Sequence, residues 1–228
     1  MKPLGSVLAD TFHTCVEATL DFVYPSVCIG CGDWLKKGDR SVCGPCLLRI
    51  ERIREPICRK CGRQLEYRTG RTVACPDCRA YHYTFQLCRS LAVYRGLAET
   101  MIHHLKYRGK RSLGTLLGGM MAARLVELKQ YEPLEVIVPV PLHPRRKKTR
   151  GYNQSAVLAS AMGKVLSRPV DPHGLVRTRN NDPQVDLDGP ARWSNTAGCF
   201  AVGEGRNYED RVVLLVDDVM TSGATIQA

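Results

Sequence analysis

Residues 212–228 read VVLLVDDVMTSGATIQA, and this stretch decides the fold. Val212 to Val216 form a five-residue apolar run, the pattern of a short buried strand. Asp217 and Asp218 follow at once. Then comes Thr221-Ser222-Gly223-Ala224-Thr225, a small hydroxyl-rich turn that leads into a helix start. Strand, acid pair, glycine-containing turn and helix start together predict a phosphate-sugar site. Backbone N–H groups at such a turn receive a phosphate, and neighbouring hydroxyls add hydrogen bonds. The acids stand at the carboxyl end of the strand, where open α/β sheets place their ligands. The Gly-Lys-Ser/Thr ending of a P-loop is absent.

The 228 residues suffice for one α/β domain and a small module, and 44% hydrophobic content excludes a disordered chain. The net charge of +11 suggests polyanionic partners, either nucleic acid or a pyrophosphorylated small molecule. The excess is spread out, since residues 1–80 carry 13 Lys/Arg against 9 Asp/Glu and residues 81–228 carry 20 against 13. No run of the roughly 20 apolar residues that a bilayer needs is present. Residues 1–24 predict a moderately amphipathic helix that packs on the rest of the chain, broken as a signal peptide by Asp10, His13, Glu17 and Asp21. A cytoplasmic location follows most simply, and it favours metal ligands or free thiols over disulfides among the eleven cysteines.

Eight cysteines form four Cys-x2-Cys pairs: Cys28/Cys31, Cys43/Cys46, Cys58/Cys61 and Cys75/Cys78. Each pair presents two thiolates on one side of a tight loop, and two facing pairs complete a tetrahedral zinc site. The segment has few large apolar residues, so zinc would supply its folding free energy. We pair the knuckles sequentially, first with second and third with fourth; crossed pairing is the alternative. Cys15, Cys88 and Cys199 read as ordinary buried or free thiols.

Beyond the cysteines, residues 85–95 alternate loosely and predict a strand. Leu97, Met101, Ile102 and Leu105 fit one helix face, and Leu113 to Leu128 a second helix. Between them lie Lys106, Tyr107, Arg108, Lys110 and Arg111. Two readings are open for this cluster: cations closing a helix, or a basic patch with an aromatic for stacking on single-stranded nucleic acid. Glu135 to Leu142 predict a strand leaving its sheet at Pro139 and Pro141. Arg145, Arg146, Lys147, Lys148 and Arg150 then place five cations in six positions. They are expected in a strand-to-helix loop that grips a polyanion, with Asn153 as N-cap of the next helix. Val170–Val176 and Ala197–Val202 predict short strands, separated by a long polar loop with Arg177, Gln184, Arg192 and Asn195.

Val213 to Thr225 resembles the 13-residue phosphoribosyl pyrophosphate (PRPP) motif of type I phosphoribosyltransferases, with no departure. Four further features extend the resemblance: the cysteine pairs, Leu105–Gly109, Pro139–Pro144 and Arg150–Gln154. So does the spaced set Arg177, Gln184, Leu187, Arg192, Asn195 and Phe200. Together they resemble the ComF family over nearly the whole chain, with Tyr152 where Phe is common. The resemblance implies a mainly parallel α/β phosphoribosyltransferase-like sheet flanked by helices over residues 83–228. A double zinc-ribbon module over residues 25–82, holding zinc in two four-cysteine sites, would precede it. By motif position, Asp217 and Asp218 would be catalytic and engage the ribose hydroxyls of PRPP. Thr221, Ser222, Gly223, Ala224 and Thr225 would hold its 5′-phosphate, and Arg145 and Arg146 would lie near pyrophosphate bound with Mg²⁺. Arg177 to Asn195 would be the mobile loop over the site.

The function so implied is a competence-type protein that binds PRPP and single-stranded DNA, possessing no identifiable acceptor and working with competence-machinery proteins. Lys106, Tyr107, Arg108, Lys110, Arg111, Lys147, Lys148 and Arg150 would meet the DNA. Active phosphoribosyl transfer in nucleotide metabolism is one alternative, and a PRPP-sensing scaffold that recruits a protein partner is another. A type I fold continues past the phosphate turn through a helix and a further strand. Ile226-Gln227-Ala228 therefore suggests a shortened C-terminus.

Overall fold

A computed structural model describes residues 27–36, 41–66, 74–81, 83–129, 133–179, 198–221 and 223–228. The predicted N-terminal helix lies outside them. The chain divides into two compact units, Met1–Ile50 and Glu51–Ala228.

In the first unit, Val27 and Trp34 form an antiparallel bridge around the first Cys-x2-Cys turn. A one-turn helix, α1 (Gly44–Leu48), carries the second pair, with Pro45 in its first turn. Cys28, Val42, Cys46 and Ile50 make the buried centre.

The second unit opens with the same device. Ile57 and Gln64 bridge around the third pair, and α2 (Pro76–Ala80) carries the fourth. Gly62 closes the turn at φ +72°, where a Cβ would stand 2.5 Å from the Cys88 carbonyl oxygen. That close approach explains why residues 85–95 do not form the expected strand. The segment is laced to the zinc ribbon instead: Cys88 N donates to the Lys60 carbonyl at 2.7 Å and Val93 N to Glu51 at 2.9 Å. Among the described residues, its one β-type pairing is the isolated bridge Arg52–Ala92.

Helices α3 (Gly96–Tyr107) and α4 (Arg111–Glu127) follow the predicted faces, with Met101, Leu105 and Leu113 fully buried. Strand β1 (Val136–Pro139) is buried along its length. The cations after it are helical rather than in the expected loop, forming α5 (Pro144–Arg150). The start and stop signals are local. His143 Nδ1 accepts from Arg145 N at 3.3 Å, Pro144 opens the first turn, and Gly151 ends it at φ +76°. Helix α6 (Gln154–Leu166) begins at the expected cap, the Asn153 side chain accepting from Ser155 N.

Strands β2 (Leu175–Arg177) and β3 (Phe200–Val202) pair antiparallel. Strand β4 (Val213–Val216) pairs parallel to β1 in the register Val136–Val213 through Pro139–Val216. On its other side β1 bridges Val170, also parallel. The result is a mixed α/β fold whose parallel strands are flanked by helices. The β4 run is less buried than its composition suggests: Val216 is enclosed, while Val213, Leu214 and Leu215 are half-buried. A final short helix, α7 (Ala224–Gln227), starts at Gly223. Among the described residues, no helix is long and apolar enough to cross a membrane.

Helix α4 packs against α6 through glycines. A Cβ on Gly118 would stand 2.5 Å from the Leu158 carbonyl oxygen, whereas Gly119 faces open space. Both changes to alanine would gain helix propensity of about 0.5–1 kcal/mol. At Gly118 the clash with backbone wins, and Gly118→Ala is expected to destabilise by about 1–3 kcal/mol. Gly119→Ala is expected to stabilise, and urea denaturation of the two variants checks the opposite signs.

Candidate functional site

Because β1 and β4 run parallel, their carboxyl ends deliver residues 140–155 and 217–225 to one edge of the sheet. A cleft of about 1520 Å³ opens there in the second unit. Asp217, Asp218, Thr221, Gly223, Ala224 and Thr225 all line it. Ser222, Gln184, Arg192 and Asn195 lie outside the described residues.

The acid pair is held by groups from α3 and α6. Ser155 Oγ donates to Asp217 Oδ1 at 3.1 Å, and Asp218 N donates to the same oxygen at 2.8 Å. Gln154 Nε2 donates to Asp218 Oδ2 at 3.3 Å. Lys106 Nζ lies 2.9 Å from Asp218 Oδ1, in an ion pair whose side chains are only 18% and 10% exposed. Burial, helped by the Asp218 charge, pushes Asp217 from 3.8 up to about 7, against the pull of the Asp218 N–H, Ser155 and Lys106.

Lys106 is thus turned toward the acids, and Tyr107 toward solvent. Tyr107 is 60% exposed, with the Arg150 guanidinium 5.1 Å from its ring centre and the His103 ring at 4.8 Å. Arg150 Nη2 also donates to the Tyr107 hydroxyl at 3.4 Å. Arg111 covers the ring of Tyr152 at 4.5 Å, whose hydroxyl donates to the Leu105 carbonyl. Arg108, Lys147 and Lys148 are exposed, and Lys110 is half-buried. None of these four lines the cleft, while Arg150 does.

Of the two arginines expected near pyrophosphate, Arg146 lines the cleft and Arg145 is exposed on α5. Arg177 joins Arg146 there, at the end of β2. Burial, then the nearby Arg146 charge, lowers the Arg177 pKa. Burial and the charges of Arg145, Arg177 and Arg146 likewise lower that of His143. Arg146 and Arg177 thus bring two positive charges into the cleft that the acid pair also lines.

The turn after the acids rests on the second four-cysteine cluster. Met220 packs against buried Cys58, Cys61 and Cys75, beside Phe85. The Cys88 thiol donates to Met220 Sδ at 3.0 Å. Tyr83 lies 3.1 Å from the position of a Cβ on Gly223, which stands at φ +80°. Thr84 N and Oγ1 donate to Gln227 Oε1 at 2.8 and 3.2 Å.

The cysteines fall into the sets Cys28/Cys31/Cys43/Cys46 and Cys58/Cys61/Cys75/Cys78, with all sulfurs of a set within 4.8 Å of one another. The pairing is sequential, not crossed. The Cys31–Cys43 and Cys61–Cys75 sulfurs are 3.7 and 3.6 Å apart. A tetrahedron with zinc–sulfur bonds of about 2.3 Å has edges near 3.8 Å, so the donor sets fit Zn²⁺. Burial opposes ionisation of Cys58, but N–H donors from Cys75, Cys61 and Lys60 outweigh it and hold the thiol at about 6. Cys28 reaches about 6 in the same way, through the N–H groups of Cys43, Cys31 and Gly30. Each site thereby has a thiolate prepared at neutral pH.

Residues 19–90 match the double zinc ribbon domain family. The chain is 26% identical over 203 residues to "Competence protein F" of Haemophilus influenzae, covering 87% of this chain and 86% of that protein. It is 27% identical over 205 residues to "DNA utilization protein YhgH" of Escherichia coli K12, covering 89% and 88%. To "Competence protein ComFC" of Bacillus subtilis it is 26% identical over 199 residues, covering 85% and 78%. No solved structure matches the chain.

Gln154, Ser155 and the inward turn of Lys106 are the site residues that motif reading missed. The available signal was positional. Gln154 and Ser155 follow the Asn153 cap on the helix after β1, at the same sheet edge as the acids.

Proposed function

Given that the chain is a ComF-family protein, we propose that it binds PRPP with Mg²⁺ in the cleft and single-stranded DNA on the adjoining basic surface, in DNA uptake. The single observation that supports this most is the acid pair at the end of β4, opposed by Lys106, Arg146 and Arg177 in one cleft. PRPP has that charge pattern: a ribose with hydroxyl donors, flanked by a phosphate and a pyrophosphate. The acids accept from the ribose hydroxyls, the Thr221–Thr225 turn takes the 5′-phosphate, and Arg146 and Arg177 meet pyrophosphate. Mg²⁺, a hard cation, would come with the pyrophosphate and be held mainly by ligand and water.

The DNA reading rests on Tyr107, an exposed ring edged by Arg150 and next in sequence to the acid-bound Lys106. A flat ring with cations around it suits base stacking over a phosphate backbone. The names of the relatives, two for competence and one for DNA utilization, agree with this use. Fluorescence anisotropy with a labelled oligonucleotide tests it. Affinity is expected to fall steeply with salt, and Tyr107→Ala to weaken it by about tenfold, near the ~1–3 kcal/mol of one stacked base. No binding at low salt would remove DNA from the function.

Transfer of the phosphoribosyl group is a second reading, favoured by Asp217. A carboxyl raised to about 7 can exchange a proton at neutral pH. Loss of pyrophosphate leaves positive charge on the ribose, and the carboxylates stabilise it. Release of pyrophosphate from PRPP across a nucleobase panel, with and without DNA, separates transfer from binding alone.

A further inference from the structure

Gln154 is 1% exposed, at the first turn of α6 and in the wall of the cleft. Its amide nitrogen is committed to Asp218 Oδ2. That bond orients the amide, because an oxygen facing the carboxylate would be repelled. The opposite end, Oε1, is buried without a hydrogen-bond partner among the described residues. A buried acceptor left unmade is costly, and serving Asp218 requires only a donor. Lys106 Nζ and Ser155 Oγ, the other side-chain donors on the acids, bond to Asp218 and Asp217. Three side chains and the Asp218 N–H thus serve the acids, and beside them, in a residue of the cleft wall, one buried acceptor has no donor among the described residues. Phosphate and pyrophosphate are poor partners for it, being chiefly acceptors; a sugar hydroxyl is a donor.

Building on the PRPP reading, we propose that Gln154 Oε1 accepts a hydrogen bond from one of the two vicinal ribose hydroxyls, beside Asp218. Gln154 thereby reads ribose against a deoxy sugar. It is a ligand-contacting specificity residue, whereas Ser155 and Lys106 are positioning residues that act through the acids.

The test is a binding cycle on the full chain, titrating PRPP with Mg²⁺ and then the 5-phosphates of ribose, 2-deoxyribose and 3-deoxyribose. Wild type is expected to prefer ribose over at least one deoxy sugar. In Gln154→Met and Gln154→Leu, which remove the acceptor, that preference is expected to shrink about tenfold. A folded variant that keeps the wild-type preference overturns the proposal. So does equal wild-type affinity for all three sugars, a result that needs no variant. Failure of wild type to bind PRPP would instead defeat the functional reading beneath it. A purely structural role for Gln154 would lower all affinities together and leave the preference unchanged.

Discussion

The double variant Asp217→Asn, Asp218→Asn is expected to lose PRPP affinity by at least a hundredfold. Hydrogen bonds to a charged group contribute about 1.5–3 kcal/mol each, so two carboxylates supply roughly 3–6 kcal/mol. Each ~1.4 kcal/mol is a factor of ten in affinity. Isothermal titration with Mg²⁺ reads the loss, and unchanged affinity in a folded double variant would sink the assignment.

The single variants are expected to move stability in opposite directions. Asp218→Asn leaves the Lys106 charge unpaired in a largely buried setting, and breaking such a pair costs about 3–5 kcal/mol. Asp217 behaves otherwise, because its folded pKa is raised from 3.8 to about 7 by burial and then by Asp218. Between those values the folded chain keeps a proton that the unfolded chain has released. Stability therefore falls as pH rises through that window, by at most about 1.4 kcal/mol per pH unit. Asp217→Asn removes that slope, so it is expected to gain on wild type as pH rises from about 5 to about 8. Denaturant melts at the two pH values check the sign. Parallel curves for the two proteins would show that Asp217 is ionised throughout.

Cys61→Ser is expected to cost one zinc equivalent and, with it, at least tenfold in PRPP affinity. The mechanism runs through packing. Cys61 belongs to the cluster on which Met220 rests, and Tyr83 and Thr84, just beyond that cluster, hold Gly223 and Gln227. Structural zinc contributes about 10–16 kcal/mol of apparent binding free energy to small cysteine-rich folds. Losing a ligand therefore loosens the ribbon and releases the turn it supports. Metal analysis, titration with PRPP and thermal melting follow the three steps in order. A variant with one zinc fewer and undiminished PRPP affinity would show that the ribbon does not buttress the turn.

The parts of this protein legible from residues alone are those written in short-range chemistry. The Cys-x2-Cys turns, the Asn153 cap and the strand-acid-turn order of residues 213–225 each depend on neighbours a few positions away. Two misreadings share one cause. Residues 85–95 have the alternation of a strand, yet their backbone partners lie on the zinc ribbon at Glu51 and Lys60. Residues 144–150 have the charge density of an exposed loop, although His143, Pro144 and Gly151 already carried the helix signals. In both, the dominant side-chain pattern hid the backbone hydrogen-bonding that settled the conformation.

Lys106 draws the line between the two levels most sharply. Composition and spacing established a basic α/β chain with eight paired cysteines and an acid pair after a strand. They left Lys106 among the cations beside an exposed Tyr107, with helix-closing and nucleic-acid readings both open. Folding brought it to Asp218, 112 positions onward, while Gln154 arrived from 64 positions before the acid. The reason is physical. A motif encodes which groups can ionise and which backbone turns can form, since those properties are local. Which cation neutralises which acid, and which buried oxygen is left without a donor, depends on the parallel pairing of β1 with β4 and on the helices packed around that pair.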